Sequence, residues 1–192
     1  MAQQSSPATP AERRSNAWVA LPLTVFALVA LTAGLVARWQ STSSGYAEGG
    51  YFDLFFTDPI HLKAWLATAA AVLAVFQLFT AAWIFQRLAL SRSPWVNFVH
   101  RWSGRLVFVF ILPVAYHCIF KLGFQSGETR VLVHSLIGSA FFGAYAAKVL
   151  IIKMRRYHVW VIPTAGGLLF TTVIVAWYTS ALWFFSLVGE GL

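Results

Sequence analysis

The sequence FVHRWSGRLVFVFILPVAYHC at residues 98–118, followed by VHSLIG at 133–138, decides how this chain folds. Each stretch contains a Val-His-x-x-x-Gly element, in which His100 precedes Gly104 and His134 precedes Gly138. Positions four apart lie on the same face of an α-helix. A bare glycine one turn from a histidine suits a flat, bulky group that binds the imidazole and lies against the helix backbone. The alternative is a histidine near a helix end, with a glycine that permits close helix packing.

The apolar run between the two elements is one of several that are long enough to cross a bilayer. The chain has 192 residues, of which 59% are hydrophobic and 10% charged, with a mean hydropathy of +0.69. This length predicts one domain, and this composition is not that of a soluble core. We therefore expect an all-α integral membrane bundle of five transmembrane helices. The predicted spans are about 17–37, 61–88, 94–120, 129–154 and 158–188.

The segments outside these spans have their own patterns. Residues 1–16 are rich in Gln, Ser, Pro and Ala, which predicts a disordered cytoplasmic N-terminus. Residues 51–56 predict a short amphipathic helix in the membrane interface or a loose aromatic belt. In the fourth span, Ser135, Ser139, Gly143 and Ala147 recur every four residues and predict close approach of another helix.

The charges predict how the bundle is oriented. Ten of the 14 Lys and Arg residues fall at one set of span ends, which the positive-inside rule places in the cytoplasm. The N-terminus is then inside and the C-terminus outside, as in a multi-pass protein of the bacterial inner (plasma) membrane. The formal charge of +8 thus orients the chain in its lipid bilayer, and we expect no nucleic-acid partner.

The five histidines sort by depth in this topology. His100 and His158 lie at the inner ends of their helices, whereas His61, His117 and His134 lie at the outer ends. A bis-histidine haem suits diagonal helices of a four-helix bundle, because neighbouring helix axes are only about 8–10 Å apart. In an up-and-down bundle this pairs His61 with His134 and His100 with His158. A rival outer pair is His117 with His134, which lie at matching depth on consecutive helices.

Other features allow different interpretations. Arg101, Arg105 and Lys121 could pair with haem propionates or anchor lipid headgroups. A site for copper or another metal at the outer face would use His61, His117 and His134. The single cysteine, Cys118, excludes an internal disulfide and covalent Cys-x-x-Cys-His haem attachment. If the histidines only pack or anchor, the chain would be a non-catalytic membrane subunit or assembly factor of a respiratory complex.

The motif HRWSGR at 100–105, followed by an apolar run and His117, resembles the His-Arg-x-x-Gly…His pattern of cytochrome b561 and ferric-reductase-like transmembrane proteins. The chain is more closely similar to an uncharacterised family of small bacterial membrane proteins, through LPVAYHC at 112–118, VHSL at 133–136 and TSALWF at 179–184. The cytochrome resemblance implies a helical bundle that holds one or two non-covalent b haems. It also implies an electron-transfer component, not a complete oxidoreductase, with a quinone or a membrane redox complex as partner. His100, His117 and His134 match this pattern best, and His61 and His158 match it weakly.

Overall fold

The computed structural model describes residues 10–43, 50–91, 93–154, 157 and 160–189. The described chain is all-helical, and five of its helices are long and apolar enough to cross a membrane, as the sequence predicts. The helices are α1 Pro10–Ser43, α2 Pro59–Ile84, α3 Pro94–Tyr116, α4 Thr129–Met154, α5 Val161–Trp177 and α6 Trp183–Gly189. Two π-helical turns complete them: His117–Leu122 extends α3, and Tyr178–Leu182 joins α5 to α6.

Local chemistry explains where α2 and α3 begin. The Asp58 carboxylate accepts hydrogen bonds from the backbone N–H groups of Ile60 and His61, at 2.8 and 2.9 Å, and Pro59 takes the first helical position. This is a side-chain N-cap followed by a residue that needs no N–H partner. Ser93 holds the same place before Pro94, but its side chain makes no capping hydrogen bond.

Several predicted boundaries differ from the structure. Residues 10–16 are helical, although the sequence predicts disorder there, and residues 1–9 lie outside the described part of the chain. The second helix ends at Ile84 and not at Leu88, because Gln86 adopts a φ of 55°, which a right-handed helix cannot continue. Residues 51–56 form no helix, since Leu54 has a φ of 54°. A tight turn forms there, in which the Phe56 N–H donates to Asp53 O.

Helices α2 to α5 form a four-helix bundle in up-and-down order. Helix α2 packs against α3 and α5, and α4 packs against α5. Phe108 of α3 stacks on Tyr145 of α4, with ring centroids 4.2 Å apart, which closes the ring of four. The diagonal pairs are therefore α2 with α4 and α3 with α5. The core at the centre contains Ala70, Ala74, Val107, Phe141 and Val173.

Helix α1 lies outside this bundle and packs along α4. Gly143 lies directly against the backbone carbonyl of Phe26, and Gly34 of α1 lies beside Ser139. A side chain at position 143 would overlap the α1 backbone. The small-residue ridge of α4 therefore does what its spacing predicts, and the helix that it admits is α1.

Candidate functional site

A cavity lies at each end of the described part of the bundle, and we name the two by the predicted orientation. The inner cavity, of about 800 Å³, lies where α2 ends and α3 begins. The outer cavity, of about 390 Å³, lies where α2 begins and α3 ends. Both volumes are in the range of small-molecule sites, about 300–1,000 Å³. Phe141 and Val173 line both cavities, so the central core of the bundle separates them.

His100 lines the inner cavity, six residues into α3. Its Nδ1 lies 2.7 Å from Thr80 Oγ1 of α2. The Thr80 hydroxyl donates its own proton to the carbonyl of Phe76, at 3.0 Å, so its oxygen is the acceptor for the imidazole. This network assigns the proton to Nδ1 and leaves the lone pair on Nε2. Gln77 secures the same turn, because its Nε2 donates to His100 O at 2.5 Å.

His134 lines the outer cavity in the same manner. Its Nδ1 lies 3.1 Å from Thr179 Oγ1 and 3.2 Å from Ala176 O. The Thr179 hydroxyl donates to Val175 O at 2.8 Å, so it too accepts the imidazole proton. Thr179 belongs to the π-helical turn after α5, and Arg130 Nη1 donates to its carbonyl at 2.7 Å. The lone pair of His134 is again on Nε2.

The two ends of the bundle thus repeat one arrangement. In each, a histidine donates its Nδ1 proton to a threonine hydroxyl on the neighbouring helix, and the threonine donates to its own backbone. Metal-ligating histidines almost always have such a second hydrogen bond, which fixes the tautomer and the ring orientation. The role of the two threonines could not be predicted from the sequence, because nothing in the local pattern links them to a histidine on another helix.

The two motif glycines have different surroundings. A Cβ at Gly138 would meet nothing within 4 Å, and the residue lines the outer cavity. This is the open space beside a histidine that the spacing predicts. Gly104 lines the inner cavity, but a Cβ there would lie 3.1 Å from Gln77 Oε1. The absence of a side chain at Gly104 therefore leaves space for Gln77, which is hydrogen-bonded to the His100 carbonyl.

His117 and His61 do not line either cavity. His117 is completely buried, and both of its ring nitrogens bond to backbone: Nδ1–H donates to Pro113 O at 2.9 Å, and Nε2 accepts the Phe52 N–H at 3.3 Å. His61 Nδ1 lies 2.6 Å from Asp58 Oδ2, at the start of α2. Neither side chain lines the outer cavity, so the structure forms neither predicted outer pair with His134. His158 lies outside the described residues, and its predicted pairing with His100 stays a prediction.

The predicted copper site is not assembled either. Among the described residues, no group of three or more His, Cys, Asp or Glu side chains is close enough to hold a metal ion. Cys118 lines the outer cavity together with His134, but His61 and His117 are turned to other partners. This arrangement favours one imidazole per cavity over a multi-histidine metal centre at the outer face.

Basic side chains line both cavities, and no acidic side chain of the described residues does. Those of the inner cavity are Arg87, Arg101, Arg105, Lys148 and Lys153. The outer cavity has Lys63 and Arg130, and the Arg130 guanidinium carbon lies 3.7 Å from the centre of the Trp183 ring. Arg101 and Arg105, for which the sequence suggests pairing with haem propionates or anchoring of lipid headgroups, therefore line the inner cavity. Lys121 does not line the outer cavity and lies near the rings of Tyr51 and Tyr116 instead.

Comparison with known proteins identifies one family. A model of a family of unknown function, DUF6529, matches residues 18–191. The chain belongs to the DUF6529 family. No curated protein and no solved structure matches it. Family membership thus agrees with the similarity to small membrane proteins of no assigned function, and it adds no activity.

Proposed function

We propose that this DUF6529 protein is a membrane b-type cytochrome-like protein, which carries electrons across or within the bilayer through one or two non-covalent b haems. The observation that supports this best is the repeated histidine–threonine pair. In each cavity an imidazole is oriented by a hydrogen bond at Nδ1, so that Nε2 has its lone pair for a metal. One such imidazole at each end of a membrane bundle would allow a redox centre on each side of the bilayer, as transmembrane electron transfer needs.

The residues around each cavity fit haem in several respects. The walls are mostly apolar, as a porphyrin requires, and basic side chains lie among them for its carboxylates. Arg101 and Arg105 serve this role in the inner cavity, and Arg130 with Lys63 serves it in the outer one. Gly138 leaves open space beside His134. When bound, haem would supply a one-electron iron couple in a water-poor environment.

The proposed ligands are His100 and His134, one for each cavity. Thr80 and Thr179 hold the two rings and keep the proton on Nδ1. The bis-histidine pairs expected from the sequence are not part of the proposal for the outer site, because His117 and His61 are engaged elsewhere. For the inner site, His158 remains the expected second ligand. Phe141 and Val173 exclude water between the two cavities.

The cellular setting of this proposal rests on sequence arguments. The charge asymmetry favours an N-terminus in the cytoplasm. We expect the chain to lie in a bacterial inner membrane. A quinone or a membrane redox complex would exchange electrons with the haem.

The test is the visible spectrum of the detergent-purified protein, oxidised and then reduced with dithionite. We expect a Soret band and, on reduction, the sharpened alpha and beta bands of haem b. The pyridine haemochrome assay then gives the haem stoichiometry. His100→Ala and His134→Ala should each lower it by about one haem if two are bound, whereas His61→Ala and His117→Ala should leave it unchanged.

A matched pair of glycine variants separates haem binding from folding. Gly138→Leu should fill the outer cavity and lower the haem content, while Gly127→Leu changes a glycine that has no neighbour within 4 Å in a loop and should not. A protein that stays colourless after expression with added haem would refute the proposal. The subunit or assembly-factor interpretation would then be the better one.

A further inference from the structure

Lys148 is a cation placed inside the membrane-spanning part of the bundle. It lies six residues before the end of α4, about 9 Å along the helix axis. Its Nζ lies 3.9 Å from the place that a Cβ would take at Gly166, which is five residues into α5. The ammonium group therefore reaches across to α5 at the depth of His100, and it does not extend towards the inner membrane surface as a lipid-anchoring lysine would.

No counter-ion for Lys148 exists among the side chains that the structure describes, which are those of residues 20–41, 50–91, 93–154, 157 and 160–187. Their carboxylates, on Asp53, Asp58 and Glu128, all lie at the outer end, and the salt bridges of the described part of the chain are confined to that end. The other four basic residues of the inner cavity are solvent- or lipid-exposed, whereas Lys148 is half-buried. A charge at this depth is costly unless an opposite charge is paired with it.

The surroundings of Lys148 indicate what would supply that charge. The inner cavity is lined mainly by apolar and aromatic side chains, among them Leu78, Val149, Ile152 and Phe170. Arg101, Arg105 and Lys153 line the same cavity as Lys148, and no described acidic side chain does, so the local potential is positive. A small hydrated anion would leave most of this apolar space unfilled. An amphiphile with an apolar body and one acidic group would fill the space and neutralise the lysine.

We propose that the inner cavity binds an amphiphilic anion from the bilayer, whose carboxylate or phosphate pairs with Lys148. Two kinds of molecule have such an acidic group on an apolar body: an anionic lipid or fatty acid, and a haem with its carboxylates. The inference does not rest on the proposed cytochrome function, since it requires only an acidic group and an apolar body. It assigns a binding role to Lys148, which neither the histidine motifs nor the family match indicates.

The test uses ligands with matched uncharged analogues. Thermal stability and native mass spectra of the detergent-purified full chain are recorded with oleate or methyl oleate, with dioleoyl phosphatidic acid or dioleoylglycerol, and with haem or haem dimethyl ester. We expect at least one acidic ligand to bind and to raise the melting temperature, and its uncharged analogue to bind much more weakly. The ligand that does so identifies the source.

Lysine variants then locate the site. Lys148→Met should weaken binding of the acidic ligand about 25-fold or more, and should leave binding of the uncharged analogue unchanged. Lys148→Arg should retain binding. Lys121→Met is the matched control and should leave binding unchanged, because it removes a half-buried lysine that lines neither cavity.

Two results would overturn the inference. One is equal binding of the acidic ligand by the wild type and by Lys148→Met. The other is a wild type that binds none of the acidic ligands, together with a Lys148→Met variant that melts at a higher temperature, because removal of an uncompensated buried charge is stabilising. Where haem is the acidic ligand that binds equally to both proteins, the inference fails and the cytochrome proposal stays intact.

Discussion

Valine in place of Thr80 or Thr179 should affect the two histidine sites unequally. Each substitution keeps the side-chain shape and removes the hydroxyl that accepts the imidazole proton. At the inner site, Thr80 Oγ1 is the only partner recorded for His100 Nδ1 among the described residues. At the outer site, His134 Nδ1 also has Ala176 O at 3.2 Å. The inner histidine therefore loses its orientation, whereas the outer one keeps an alternative acceptor.

The magnitudes follow from this difference. A half-buried donor without a partner costs about 1–3 kcal/mol, and loss of the hydrogen bond that orients a metal-ligating histidine lowers metal affinity about 10–100-fold. We expect Thr80→Val to weaken haem binding at the inner site by about that factor. In Thr179→Val the imidazole can donate to Ala176 O, so the loss is that of one net hydrogen bond, about 0.5–1.5 kcal/mol. We therefore expect the haem affinity of the outer site to decrease about 2–12-fold.

The assay is a haem titration of the apoprotein in detergent, followed at the Soret band. His100→Ala and His134→Ala, each titrated alone, assign the two phases. Thr80→Ser should bind as the wild type does, because it keeps the hydroxyl. Thr172→Val is the control for the outer site, since Thr172 is buried, lines the same cavity and donates only to Leu169 O.

A Thr80→Val variant with unchanged haem affinity would refute the reasoning about tautomer control. So would a Thr179→Val variant that loses more affinity than Thr80→Val, because that result would mean that Ala176 O is no substitute for the hydroxyl. Thermal melting of each apoprotein shows whether a lost affinity reflects a lost fold.

Three further outcomes test the architecture. Gly143→Leu should displace α1, because the new side chain overlaps the Phe26 carbonyl, and should lower the melting temperature far more than Gly167→Leu, at a helical glycine with no neighbour within 4 Å; equal effects would contradict this packing. Hydrogen bonds from the backbone N–H and the side chain of His61 are the largest causes that hold the pKa of Asp58 below its ordinary value of 3.8. The ionised carboxylate therefore stabilises the fold at a pH above this value. The contribution is lost as the pH falls through the lower pKa of the folded state. The difference in melting temperature between wild type and Asp58→Ala should thus be present at pH 7 and shrink in acid, and a constant difference would argue against the cap. In His117→Ala, any visible haem spectrum should be unchanged, but amide hydrogen exchange at residues 50–56 should be faster, because the His117 ring accepts the Phe52 N–H. Loss of the spectrum would mean that His117 is a haem ligand.

The sequence by itself determined the helices and their number. The length and polarity of an apolar run are local properties, so the five spans could be predicted to within a few residues at most ends. Errors arose where a single backbone conformation ends an element, as at Gln86 and Leu54, because a positive φ in a residue other than glycine has no reliable sequence signal. The small-residue ridge of α4 predicted a close helix contact, but its partner could be named only from the packing of α1.

Only the tertiary structure decided which of the described histidines line a cavity. The motifs single out His100 and His134, and depth divides the five into an inner and an outer set, but neither shows which side chains are bound to other groups. His117 matches the cytochrome pattern, yet both of its nitrogens are bound to backbone from Pro113 and from Phe52, which lies far away along the chain. In the described part of the chain, Nε2 of His100 and of His134 has no hydrogen-bond partner, and threonines of other helices accept the Nδ1 proton. Hydrogen bonds between helices join residues that are distant in sequence, and therefore no local pattern predicts them.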